Sequence, residues 1–354
     1  MTIRFLLAAA LISAVAVPAF AHDESSALPR SPLGQNAALG YWKAFALMPD
    51  IPIDEVKAPF ADQGTVDDTV RELAQRGTAA VEALRRATQT DACDWGHDWS
   101  EGWMLTLPHC SQARKLTFLA CLHARVAAAD GDAETAIDDL AAATRLARDV
   151  GAGGTAIELV NEVAFRAIVI EQAKAIAAGL TAEQSATLLA RIEAVQPTMT
   201  PADAIAIERD MTVPYIHSLL RARTLQETMQ ASGELDGGAA VGVAALDAAI
   251  EQTQREALTR YATVLDEMAA AARLPHERAT MRLAEIEADL RHRAERLDAV
   301  WAEGSEATKA ERTEATLDTL AVSIPLAASQ LYEAAARTPD RIAELRDELT
   351  KPND

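Results

Sequence analysis

An all-α fold is what this chain predicts: stacked antiparallel hairpins followed by long, coiled-coil-like helices. Apolar residues recur in steps of three and four through nearly every long segment, the spacing of one helix face. Alanine, leucine, glutamate and arginine, all abundant here, are strong helix formers. No stretch alternates apolar and polar residues as a half-buried strand does. Hydrophobic residues make up 49% of the chain and aromatics only 4%, so the core must be built of alanine and leucine, which suits close helix packing.

The first 21 residues read as a signal peptide. Arg4 is the positive start, residues 5–17 form the apolar run, and Ala19-Phe20-Ala21 is a small-x-small cleavage site. Export to the periplasm or beyond follows, with cleavage near Ala21. Residues 22–40 contain Pro, Ser and Gly and read as a flexible lead-in. A helical hairpin domain is expected over 41–232, a linker over 233–243 and a long-helix bundle over 244–354.

Within the first domain a short helix is expected from Tyr41 to Met48, stopped by Pro49. Thr65 is a candidate N-cap for a helix marked by Val70, Leu73, Val81 and Leu84, with a break expected at Gly77. Gly96 and Gly102 mark a loop, and Pro108 opens the next helix, running to about Ala129. Asp130-Gly131-Asp132 turns the chain into a partner helix ending near Val150. Gly151-Ala152-Gly153-Gly154 reads as an interhelical turn rather than an anion site, because it follows a helix and not a strand. A helix from about Thr155 to Ala178 comes next. Thr181 and Gln184 form a capping-box pair for the following one, and Thr200-Pro201-Ala202-Asp203 opens another that carries Pro214.

Beyond the linker three stripes are expected: Ile250, Ala257, Tyr261, Val264 and Met268; then Leu283, Ile286, Leu290, Leu297 and Trp301; then Leu317, Leu320, Ile324, Ala327 and Leu331, kinked at Pro325. Leu274-Pro275 folds the first two back on each other. Ala124, Gly131, Ala136, Leu140 and Ala143 fall in a small-and-large pattern that resembles one tetratricopeptide hairpin, without the large aromatics of that repeat's first helix.

The formal charge is −20, and loss of Arg4 with the leader makes it −21. That balance excludes a nucleic-acid partner, which needs clustered cations, and adsorption to an anionic membrane surface. No later segment has the uninterrupted apolar length of a membrane span. A Gly-x-Ser-x-Gly elbow and a Walker loop are both absent, and His276-Glu277-Arg278-Ala279-Thr280 lacks the second histidine of a zincin helix.

Specific chemistry concentrates between Cys93 and His123, where all three cysteines, three of seven histidines and three of five tryptophans fall. Cys93-Asp94-Trp95-Gly96 with Leu107-Pro108-His109 resembles a motif of an uncharacterised family of exported bacterial all-helical proteins. That resemblance implies a shared fold and nothing catalytic. Trp95, His97, Trp99, Trp103 and His109 are the candidate ligand-binding residues, since indole faces flanked by acids suit a sugar or a cation. The competing reading is a hydrophobic cluster pinning a long loop. Cys93, Cys110 and Cys121 are disulfide candidates. Cys110 and Cys121 lie ~16 Å apart along one helix, so a bridge must use Cys93, with Cys93–Cys110 slightly preferred over Cys93–Cys121 and a reduced, buried Cys93 left open beside both. The alternative use of the window is a metal site of Cys93, His97, His109 and Cys110.

Architecture puts first an exported, non-enzymatic helical scaffold that binds a protein or peptide, without a cofactor, its C-terminal helices able to form a homo-oligomer. The alternative is a small-ligand or metal-binding protein using the Cys93–His109 window. A weaker alternative is an envelope-polymer hydrolase, for which nothing distinguishes two among 53 acids.

Overall fold

In the computed structural model, residues 35–61, 66–234, 240–300 and 328–350 are described, and every regular element among them is helical. The all-α expectation holds. The signal peptide, the stripe residues Leu317, Leu320, Ile324 and Ala327, and Pro325 lie outside the described residues. None of the helices described is long and apolar enough to cross a membrane.

The first helix, α1 (Ala37–Ala46), starts four residues before Tyr41, inside the expected lead-in, because Asn36 caps it by accepting from the Ala38 N–H. A short helix, α2 (Ile53–Lys57), follows Pro52. Helix α3 (Asp68–Ala87) is capped by Asp67, whose carboxylate accepts from the Val70 N–H; the expected cap, Thr65, lies outside the described residues. It runs unbroken through Gly77, which sits against Leu119 with no room to spare, so the missing side chain serves helix–helix approach. Gly40 does the same where α1 crosses α3 at Ala87.

Helix α4 (Pro108–Ala129) begins at Pro108, turns at Gly131 with φ of 85°, and returns as α5 (Ala133–Gly151) behind an Asp132 cap. Leu116, Leu119 and Leu122 of α4 meet Leu140 and Leu146 of α5, all fully buried. Each such side chain is worth about 1.5–3 kcal/mol in apolar burial. Fully buried alanines at 113, 120, 124, 136, 143 and 147 let the helices approach closely enough to exclude water. Helix α6 (Ala156–Ile176) packs across this hairpin, and α7 (Ala182–Ala194) opens with the Thr181–Gln184 capping box.

The long helices α8 (Pro201–Glu234), α9 (Ala240–Ala272) and α10 (His276–Val300) follow. Helix α8 continues through Pro214, and α9 begins within the expected linker. Leu258, Tyr261, Leu265 and Met268 of α9 pack against Leu283, Ile286 and Leu290 of α10, the fold-back that Leu274-Pro275 predicts. Helix α11 (Ala328–Ala336) stays against the long helices, Tyr332 stacking on His276 of α10, whereas α12 (Thr338–Thr350) leaves them. Leu345 and Leu349 of α12 enter the N-terminal core instead, and Lys174 of α6 holds Glu344 at 2.9 Å.

Candidate metal centre

The loop between α3 and α4 is fixed before it reaches the site. The Asn36 side chain donates to the Asp94 carbonyl (2.7 Å) and accepts from the Asp94 N–H (2.9 Å), while the Ala37 N–H donates to the Ala92 carbonyl. A second anchor is Trp95, whose indole N–H donates to the Asp149 carbonyl at 2.8 Å. Its ring stacks on His109 (centroids 4.3 Å apart) and against Tyr41 and Phe45. Trp95 therefore packs the loop onto the core, and the same stacking orients the His109 imidazole.

Two histidines and one glutamate converge there. Glu158 Oε1 lies 2.7 Å from His97 Nε2 and 2.8 Å from His109 Nε2, and all three side chains are more than nine-tenths buried. Each arrives from a different element: His97 from the loop, His109 from the first turn of α4, Glu158 from the first turn of α6. The other carboxylate oxygen, Oε2, accepts from the Thr155 N–H at 2.9 Å as half of a capping box. One face of the carboxylate thus holds its own helix end while the other faces the imidazoles. The edge of Trp99 closes on His97, with centroids 5.2 Å apart.

Electrostatics fix the protonation state. Burial alone would raise the Glu158 carboxyl, but hydrogen bonds from His109 and His97, with that of Thr155, outweigh it and hold the group at about 2. An ionised carboxylate is acceptor-only, so both Nε2 atoms carry hydrogen when no metal is present. These three atoms also have the chemistry of a ligand set: two imidazole nitrogens and one carboxylate oxygen, mutually within 4.8 Å.

Gly153 makes the convergence possible. A Cβ at this position would overlap the Glu158 carboxylate, and one at Gly151 would overlap that of Glu162, one turn further along α6. The glycine-rich turn after α5 is a pair of seats for two buried glutamates. Glu208 of α8 closes the back of the turn, accepting from the Ala156 N–H at 3.0 Å, and burial raises its carboxyl.

The expected ligand set is thus redrawn. His97 and His109 come together, Glu158 joins them, and the two cysteines stand outside the cluster. Cys110 Sγ is 3.6 Å from His109 Nε2 and close enough for the Glu158 charge to disfavour its thiolate, but it is not among the atoms that converge. Cys93 packs against the core among Asp149, Asp94, Arg148 and Arg145. The Trp103 side chain lies outside those described. His123 belongs to a separate pair, 2.6 Å from the buried Asp139, which Arg85 also approaches at 3.3 Å. Glu158 is the member that sequence reasoning misses. The signals for it are Thr155-x-x-Glu158 and the glycines before it.

All three cysteines are free thiols, so neither Cys93–Cys110 nor Cys93–Cys121 is bridged. Burial pushes each thiol up, Cys110 to about 12 and the other two further, which leaves almost no thiolate at neutral pH. A colorimetric thiol count is accordingly expected to read three after denaturation and to develop only slowly in the native protein. A denatured count of one would establish a bridge and overturn this arrangement.

The chain matches no protein-family model, and no curated protein or solved structure matches it significantly.

Proposed function

We propose that this is a metal-binding protein whose His97, His109 and Glu158 hold a divalent first-row transition ion, with zinc the first to test. The observation that carries this reading is the meeting of two imidazole Nε2 atoms on one oxygen of an ionised glutamate inside the fold. Imidazole and carboxylate ligands together suit zinc and its neighbours better than magnesium or calcium, which prefer all-oxygen shells. Thr155 acts one step out, because its N–H fixes the second carboxylate oxygen and leaves Oε1 for the ion. Ion binding would replace the two Nε2–H contacts, so affinity should fall with acidification. We assign the site the binding of a metal and no reaction. A protein- or peptide-binding scaffold rests on hairpin architecture alone.

The test is calorimetric titration of zinc chloride into chelator-stripped protein, alongside elemental analysis of protein from its native compartment. One ion per chain is expected, with a rise in melting temperature. At a hundredfold excess over Kd the gain is about 2.7 kcal/mol. His97→Ala combined with His109→Ala should abolish both effects. Zinc binding of equal affinity in that double variant, or none in the parent, would defeat the reading.

A further inference from the structure

A second site, independent of the metal centre, lies where α11 and α12 close over α6. The cavity there measures about 740 Å³, and Leu159, Val163, Met199, Tyr332 and Ile342 give it apolar walls. Its charged lining is balanced. Arg166 Nε meets Glu162 at 2.8 Å, and Arg346 meets Glu193 at 2.6 Å, so two cations face two anions and no charge is left over. A charged occupant would lose its hydration and find no countercharge.

Two buried polar atoms among these lining residues lack a hydrogen-bond partner, and one of them is a donor. Arg166 is buried, its Nε is committed to Glu162 and its Nη1 donates to the Val195 carbonyl at 2.8 Å, yet Nη2 is buried without a partner. A buried donor left unmet is costly, and a guanidinium donor more so than a neutral one. Glu162 Oε2 also lacks a partner, but it is pressed against the backbone at Gly151, away from such a role.

We infer that this cavity binds a small, neutral, largely apolar molecule presenting one hydrogen-bond acceptor, a carbonyl or hydroxyl oxygen, to Arg166 Nη2. Walls of aliphatic side chains and a single oriented donor are the usual composition of a small-molecule pocket.

Nile red, neutral and carbonyl-bearing, is a suitable probe for fluorescence titration of the full chain. Saturable binding at one site per chain is expected. Ala335→Phe places a ring in the cavity without touching either ion pair and should abolish binding. Arg166→Lys keeps a cation beside Glu162 but removes the fork, and should weaken binding about tenfold. Met281→Ala, at an exposed position on α10, should change nothing and controls for adsorption to surface apolar residues. An anionic naphthalene sulfonate should bind more weakly than Nile red. Absence of saturable binding, binding unchanged in both cavity variants, or preference for the sulfonate would each overturn the assignment. None of these outcomes depends on zinc, so the two sites stand or fall separately.

Discussion

Glu158→Ala is expected to lower the stability of the metal-free protein by about 2–5 kcal/mol, since each buried donor left unmet costs about 1–3 kcal/mol. Truncation strands the Nε2–H donors of His97 and His109 in the interior and leaves the Thr155 N–H at the start of α6 without its carboxylate. Glu158→Gln keeps the shape and one acceptor oxygen, so it should cost less, yet it removes the charge. Acid titration separates the two contributions. The Glu158 carboxyl ionises at 4.5 in an unfolded chain and at about 2 when folded. On acidification the unfolded chain takes up this proton first, so the contribution is complete above pH 4.5 and disappears as pH falls towards 2. The shift is worth roughly 3 kcal/mol. Denaturation midpoints measured across that window should fall more steeply for the parent than for Glu158→Gln. Parallel curves would mean that the carboxylate is not held by the imidazoles at all.

Most of the fold is readable from local signals because those signals act locally. Pro108 starts α4, Gly131 supplies the positive φ between α4 and α5, and Thr181 with Gln184 caps α7, each satisfying groups within a few residues. Gly77 misleads for the opposite reason. Its value lies in Leu119 on another helix, a contact that helix propensity does not encode. Asp67 caps α3 because a carboxylate one turn before Val70 reaches its N–H. The placing of α12 is likewise hidden. Leu345 and Leu349 form an apolar stripe that could cover any core, and spacing alone cannot choose between the long helices and the N-terminal hairpins.

The metal centre divides along the same line. His97 and His109 stand out because histidine is scarce and both fall in one window. Glu158 does not, since it is one acid among 53 and its capping role already accounts for its position. Only the tertiary turn that lays α6 across α4 brings its second oxygen to the imidazoles. A capping glutamate whose side chain is fully buried is the physical clue, because a cap at a helix end normally stays wet. The tryptophans show the converse. Their spacing of four suggests a ligand platform, whereas Trp95 spends its ring on His109, Tyr41 and Phe45 and its N–H on Asp149.

Gly153→Ala provides the sharpest test of that tertiary arrangement, with an expected cost of about 3 kcal/mol, at the upper end of ordinary overpacking. The added methyl would occupy the space of the Glu158 carboxylate, so the acid must retreat from both histidines or the turn must move. Gly131→Ala is the control. Gly131 also sits in a turn, but nothing lies within 4 Å of its would-be Cβ, and only its φ of 85° resists substitution, at about 1–2 kcal/mol. A double-mutant cycle identifies the obstructing group. If the methyl collides with Glu158, then Gly153→Ala should cost at least about 1 kcal/mol less in the Glu158→Ala background than in the parent, since the carboxylate is no longer there to displace. Equal costs in the two backgrounds, read from chemical denaturation, would show that the glycine serves the turn itself. The centre would then owe nothing to the space between α5 and α6.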